Sequence, residues 1–261
     1  ATYCLVSNRK SMSLQVIIEL KRWLKRIPGL KQGYVIYCST FVQPKKRKLL
    51  KSAKNIEREL RIRSLQSTVD YVENNMIGAK SFRDRYELLT NVLDEVKEEG
   101  LFLEFGVFKG NTISHIASRK ENQIYGFDSF EGLPEYWRRG FDKGHFKTPE
   151  LPKTPDNVTL IEGWFSDSLP GFLDMHKEKA VFIHIDCDLY SSTKTIFDLA
   201  GDRIEEGTIL VFDEYFNYPG WRHGEYKAFQ EFCEKNGIQY SYLGYCRYNT
   251  QVVVKILVKK Y

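Results

Sequence analysis

The residues best placed to do chemistry are acids that close two apolar runs. Ala180-Val181-Phe182-Ile183 leads into His184-Ile185-Asp186-Cys187-Asp188-Leu189-Tyr190, and Thr208-Ile209-Leu210-Val211-Phe212 leads into Asp213-Glu214. Each run reads as a buried strand, and side chains two residues apart on a strand share a face. Asp186 and Asp188 therefore start on one side of a sheet, and His184 falls on the same side. Carboxylates are rarely placed in a core without a partner. Two strands that both end in acid point to a site at the carboxyl edge of a parallel sheet, where α/β proteins bind their ligands.

A second set of residues suggests the ligand. Glu104-Phe105-Gly106-Val107-Phe108-Lys109-Gly110-Asn111-Thr112 follows the apolar run that starts at Leu101. Gly106 and Gly110 allow the backbone to approach a ligand closely. A helix starting near Asn111 and Thr112 offers free N–H groups. The Glu-x-Gly-x-x-x-Gly spacing is not the dinucleotide fingerprint. Asp128 ends the next strand, where an acid accepts hydrogen bonds from both hydroxyls of a ribose; the alternative is a turn aspartate, since Ser129 and Gly132-Leu133-Pro134 follow. Together these favour an adenosine-containing ligand. Glu162-Gly163-Trp164-Phe165 closes a third strand, and Trp164 either flanks an adenine ring or packs in the core.

These residues need a particular scaffold. From Arg83 onward, strands near 101–105, 124–127, 158–161, 181–186 and 208–212 alternate with helices near 86–100, 112–118, 169–176, 192–203 and 225–236. That alternation implies a parallel α/β sheet with right-handed crossovers. Residues 239–245 and 251–259 form a hairpin about Asn249-Thr250, so the last strand runs antiparallel. The expected fold is a Rossmann-like class I sheet of order 3-2-1-4-5-7-6 over residues 80–261, preceded by a basic, mainly helical appendage or lid over residues 1–79. Within that appendage, residues 13–27 read as a basic amphipathic helix stopped by Pro28-Gly29, residues 34–42 as a strand or buried irregular segment, and residues 45–74 as a charged helix. The first reading of this segment is a cover for the main domain or a dimer contact, in an expected homo-oligomer; the second is peripheral membrane contact.

Composition excludes little but sets bounds. Hydrophobic residues at 42% are ample for a core, and a net charge of +5 is compatible with several anionic partners. The five cysteines include no Cys-x-x-Cys pair, so reduced thiols in a cytoplasmic protein are expected. No apolar run approaches the length of a membrane span. A nucleic-acid-binding protein is the reading from a different class, but no aromatic-basic recognition motif supports it.

Five ordered motifs resemble the macrocin O-methyltransferase family: Leu103 to Gly110, Tyr125 to Pro134, Glu162 to Phe165, His184 to Thr193, and Phe212 to Tyr215 with Tyr218-Pro219-Gly220-Trp221. The resemblance covers roughly residues 80 to 257. It implies S-adenosylmethionine as methyl donor, a divalent cation such as magnesium, and a sugar hydroxyl of a small molecule or glycan as acceptor. Asp186, Asp213 and Glu214 then resemble the metal ligands and Asp188 the general base, while Glu104, Gly106, Phe108, Gly110, Asn111, Thr112, Asp128, Ser129, Gly163, Trp164 and Asp186 resemble the donor site. The Asp213-Glu214 pair stands where antibiotic-tailoring members tend to have two aspartates, which suggests a different branch. A phenolic or catechol hydroxyl is the alternative acceptor. The structural alternatives are that Asp188 caps the following helix, that Asp213 and Glu214 pair with Arg222 or Lys227, and that His184 is a buried hydrogen-bonded histidine. His145, in the insertion between the second and third strands, and His223 are candidates for the acceptor side.

Overall fold

A computed structural model of the chain describes residues 54–259. The segments expected at residues 13–27 and 34–42, and Cys4 and Cys38, lie outside them. The chain divides into two compact units, Ala1–Glu59 and Leu60–Tyr261. Of the first, only residues 54–59 are described, where helix α1 (Ile56–Asn75) begins.

The second unit is built on one sheet. Its strands are β1 (Lys80–Phe82), β2 (Leu101–Phe105), β3 (Ile124–Asp128), β4 (Val158–Glu162), β5 (Ala180–Ile185), β6 (Ile204–Phe212), β7 (Ile238–Cys246) and β8 (Val252–Lys259). They lie in the order β1-β7-β8-β6-β5-β2-β3-β4. Read from β4 to β7, this is the expected 3-2-1-4-5-7-6 arrangement. Only β8 runs antiparallel to its neighbours, β6 and β7. The added edge strand β1 pairs parallel with β7. Its Lys-Ser-Phe sequence is too short to show a period, so nothing in the pattern announced it.

Helices α2 (Arg85–Glu95), α3 (Asn111–Ala117), α4 (Phe165–Met175), α5 (Tyr190–Ala200) and α6 (Glu225–Asn236) connect the strands. Every residue of β2 and β5 is buried, which explains their unbroken apolar sequences. Alternation sorts their side chains onto two faces. Phe102, Phe182 and Val211 join Leu88, Val92 of α2 and Ile113 of α3 on one face. Leu103, Ile183 and Leu210 join Phe172 of α4, Phe197 of α5 and Phe229 of α6 on the other. Burial of each such side chain contributes about 1.5 to 3 kcal/mol, so the two layers fix the central strands against each other. Residues 129–157, between β3 and β4, hold no strand or helix beyond an isolated bridge between Arg138 and Phe141. Cys187, Cys233 and Cys246 are free and buried. No helix among the described residues is long and apolar enough to cross a membrane.

Candidate active site

The strand register sets the site. Glu104 of β2 lies beside His184 of β5, and His184 beside Val211 of β6. Two residues further, on the same face and level, come Gly106, Asp186 and Asp213. The ladder continues to this edge: the Asp186 N–H donates to the Phe105 carbonyl (2.8 Å) and the Asp213 N–H to the Ile185 carbonyl (2.9 Å). Gly106 has φ of 93°, and a β-carbon there would collide with the Asp186 carbonyl oxygen. The loop after β2 can cross the end of β5 only because this residue is glycine.

Six acids gather at that edge. Glu104, Asp213 and Glu225 are almost fully buried, and Asp188 and Glu214 are buried. Helix α2 brings a cation to them. Asp84 caps α2 by accepting the Tyr86 and Glu87 N–H groups, and this fixes Arg85 as the first helical residue. The Arg85 Nη2 is 2.9 Å from Asp213 Oδ2 and its Nη1 is 3.4 Å from Asp186 Oδ2. His184 lies between two acids, its Nδ1 3.3 Å from Glu104 Oε1 and its Nε2 3.9 Å from Asp213 Oδ1. Burial works to lower the imidazole pKa, but Asp213 and Glu104 outweigh it and hold it up at about 10. His184 is therefore a buried core histidine set between two acids.

The acids repel one another. Burial, then the neighbouring Asp213 carboxylate, pushes Asp186 and Glu214 well above the usual carboxylate range. Burial and Asp213 also raise Asp188, to about 7, against the pull of Arg138 and Arg85. Asp188 sits in the left-handed region, at φ of 63°, strained for a residue with a β-carbon. It is not the cap of α5: that position is Leu189, with no side-chain cap bond. Nor do Arg222 and Lys227 hold Asp213 and Glu214. Arg222 lies on the Trp221 ring and Lys227 pairs with Glu231.

The donor set suits a hard cation. His184, Asp186 and Asp213 each present a ligand atom within 4.8 Å of the others. Asp213 Oδ1 and Glu214 Oε2 are buried without a hydrogen-bond partner. Buried carboxylate oxygens are costly to leave unpaired, and an oxygen-seeking divalent ion would satisfy them.

A cavity of ≈ 600 Å³ opens beside this cluster. Gly106, Phe108, Asp128, Ser129, Gly163, Trp164, Asp186, Asp188, Asp213 and Glu214 are among the residues that line it. Trp164 is 36% exposed at the start of α4, facing the cavity rather than packing in a core. Asp128 has a more specific task than the sequence suggested. Its Oδ2 accepts the Val107 and Phe108 N–H groups at 2.8 Å each, and its Oδ1 accepts the Phe130 N–H at 2.7 Å. It shapes both the glycine loop and the following turn, with lone pairs left over for a ligand.

Other expected residues stand back from the cavity. Glu104 lies beneath it, against His184. Gly110 caps α3, Asn111 is exposed and Thr112 is buried. His145 is exposed and packs edge-on against Phe141 and Phe146, which do line the cavity. His223 is exposed in a short turn of helix. Sequence reasoning missed Arg85 and gave Arg138 no role of its own within the insertion. Arg138 lies over the Trp137 ring at 3.7 Å from its centre and also faces Phe141 and Tyr218. A signal for Arg85 existed: the Asp84-x-x-Glu87 pattern places a helix start directly after it.

Comparison with known proteins agrees with this geometry. A family model described as a methyltransferase domain matches residues 103–215. The 8-demethyl-8-(2,3-dimethoxy-alpha-L-rhamnosyl)-tetracenomycin-C 4'-O-methyltransferase of Streptomyces olivaceus is 24% identical over 172 residues, 55% of this chain. The chain spans 63% of that relative's length. The structure of CalS11, a calicheamicin methyltransferase, matches with a TM-score of 0.53 and 20% identity over 77% of this chain and 93% of that one. The O-methyltransferase NovP matches with a TM-score of 0.52 and 20% identity, over 67% and 80%. Residues 103–215 thus match a methyltransferase domain, and the chain shares its fold with these two structures.

Proposed function

We propose that the chain is an S-adenosylmethionine-dependent O-methyltransferase of the macrocin type, acting on a hydroxyl of a sugar, a glycosylated small molecule or a polysaccharide. One observation carries the reading: the glycine loop at Gly106 and the acids Asp186, Asp188, Asp213 and Glu214 line one cavity at the carboxyl edge of the sheet. A rhamnosyl O-methyltransferase among the relatives supports a sugar acceptor.

In this reading the donor lies along Gly106, Asp128, Gly163 and Trp164. The cavity holds the acceptor oxygen in line with the donor's methyl group, and positioning supplies much of the acceleration. The oxygen attacks the methyl carbon, the carbon–sulfur bond breaks, and S-adenosylhomocysteine leaves neutral at sulfur. The hydroxyl proton passes to Asp188, whose carboxylate, poised near neutrality, is matched to that exchange. Asp186, Asp213 and Glu214 are the residues that would hold a divalent cation, magnesium by the hardness of the donors. When bound, such an ion supplies positive charge that acidifies and orients the hydroxyl.

A phenolic or catechol acceptor is the second reading. It is favoured by the aromatic wall of Trp137, Phe141, Phe146 and Phe108, which would stack a planar ring as readily as a sugar face. Cytoplasmic residence and homo-oligomeric assembly complete the proposal. Calorimetric titration with S-adenosylhomocysteine comes first; a chain that binds neither it nor S-adenosylmethionine is not a methyltransferase. A screen of rhamnosides and other glycosides against catechols, read by S-adenosylhomocysteine release with and without chelator, then separates the acceptors and tests the metal.

A further inference from the structure

We propose that Arg85 is a resident counter-cation which a divalent metal must displace, so that guanidinium and metal alternate on Asp186 and Asp213. This rests on the metal reading given above.

The guanidinium spans the ends of two strands. One nitrogen is 2.9 Å from Asp213 Oδ2 and another 3.4 Å from Asp186 Oδ2. These residues are two of the three that could present ligand atoms to one ion. A guanidinium carries only donors and stays charged, so a carboxylate oxygen it engages is not free to coordinate a metal closely. Two positive centres on one pair of carboxylates also repel strongly in a partly buried site.

The cluster explains why a resident cation is needed at all. Among the described residues, the cations set against the cluster of Glu104, Asp186, Asp188, Asp213, Glu214 and Glu225 are Arg85, Arg138 and His184. Arg138 is spent on aromatic faces, with its buried Nε unpartnered. His184 lies beneath the edge. Among the described residues Arg85 alone bridges the strand ends, and it holds them together when no metal is present.

Arg85 is also the partner free to move. Its side chain is 35% exposed, whereas those of Asp186 and Asp213 are 24% and 2% exposed and fixed to strand ends. The long side chain starts at the first position of α2 and borders the cavity. It can swing into that space without any change of backbone.

Loss of the Arg85 charge then has two opposed effects. It removes a competitor for the metal, and it leaves the apo cluster with uncompensated charge. Full-length wild type, Arg85→Gln and Arg85→Lys are titrated with Mn2+ by calorimetry, and their melting temperatures are compared in chelator and in saturating Mn2+. Arg85→Gln is expected to bind Mn2+ at least tenfold more tightly than wild type. It melts below wild type in chelator and gains more from Mn2+. Arg85→Lys, with a compact charge that cannot bridge both acids, falls between them. Equal or weaker Mn2+ binding by Arg85→Gln would show that the arginine organises the ligands, and would overturn the proposal while leaving the metal reading intact. If no form binds Mn2+ at millimolar concentration, the metal reading fails and this proposal with it. Should Arg85→Gln fold under no condition, Arg85→Lys decides: affinity equal to wild type overturns the proposal.

Discussion

At the scale of single residues, the site is defined by what its side chains cannot do without. Asp188 is held near neutrality by burial and by Asp213, in a left-handed conformation that any residue with a β-carbon adopts at a cost. Asp188→Asn keeps the shape and removes the proposed proton acceptor. It should lower turnover by about 10²- to 10⁴-fold, the usual contribution of a general base. S-adenosylhomocysteine affinity should stay within about threefold, because the residues proposed to hold the donor lie on other strands; a parallel loss of donor binding in calorimetry would show that Asp188 holds the donor instead. Gly106 poses the opposite problem. Gly106→Ala adds a methyl group where the Asp186 carbonyl already sits, at φ of 93°. Strain and overpacking of this kind cost about 1 to 3 kcal/mol each. Thermal denaturation should register a loss of several degrees, and donor-product binding should fall with it, since the loop and the end of β5 must separate. The acids of this edge were legible in sequence because strand periodicity and the apolar runs before them fix their face. Arg85 was not, because it meets them across a hundred residues of chain and belongs to another element. His145 and His223 were proposed on chemistry alone, and no periodicity placed them in the cavity.

At the scale of elements, the pattern of strands and helices was readable wherever a segment was long enough to show a period. The hairpin of β7 and β8 announced the antiparallel strand, and the βα alternation announced the rest. The boundaries moved where local geometry, not periodicity, decided them. The helix expected near 192–203 ends at Ala200 and tightens into a 3-10 turn over Gly201–Arg203, a difference no hydrophobic pattern encodes. Residues 129–157 carried aromatic and basic residues but no period, so their route around the cavity was not legible. Asp128 ties that route to the glycine loop, through N–H groups of Val107 and Phe108 on one side and Phe130 on the other. Hydrogen bonds to a charged group contribute about 1.5 to 3 kcal/mol each. Asp128→Ala should therefore release both loops together. Hydrogen exchange is expected to show faster exchange at residues 107, 108 and 130, with β3 itself still protected; unchanged exchange at 107 and 108 would mean that strand pairing alone holds the glycine loop.

At the scale of the whole molecule, the described part of the site draws on one unit of the chain. Among the described residues, those lining the cavity fall between Arg85 and Glu214, inside the unit Leu60–Tyr261. Both hydrophobic layers that hold the sheet also belong to that unit, from Tyr71 to Ile256. Helix α1 is part of its structure: the Trp221 indole N–H donates to Ser67 at 3.0 Å, the Asn217 N–H donates to Thr68 at 3.0 Å, and Tyr71 shares a 2.6 Å hydrogen bond with Tyr242. A chain that begins at Asn55 keeps all of these groups, whereas one that begins at Lys80 loses the cover of Tyr242 and Trp221. A ligand that binds only the folded state stabilises it by mass action, by about 2.7 kcal/mol at a hundredfold excess over its dissociation constant. In a domain of this size that corresponds to a rise of about 5 to 10 °C in melting temperature. Residues 55–261 should show the same rise with S-adenosylhomocysteine as the full chain, with equal calorimetric affinity, and residues 80–261 should melt lower before any ligand is added. If the longer fragment folds but does not respond to the product, then residues 1–54 take part in donor binding.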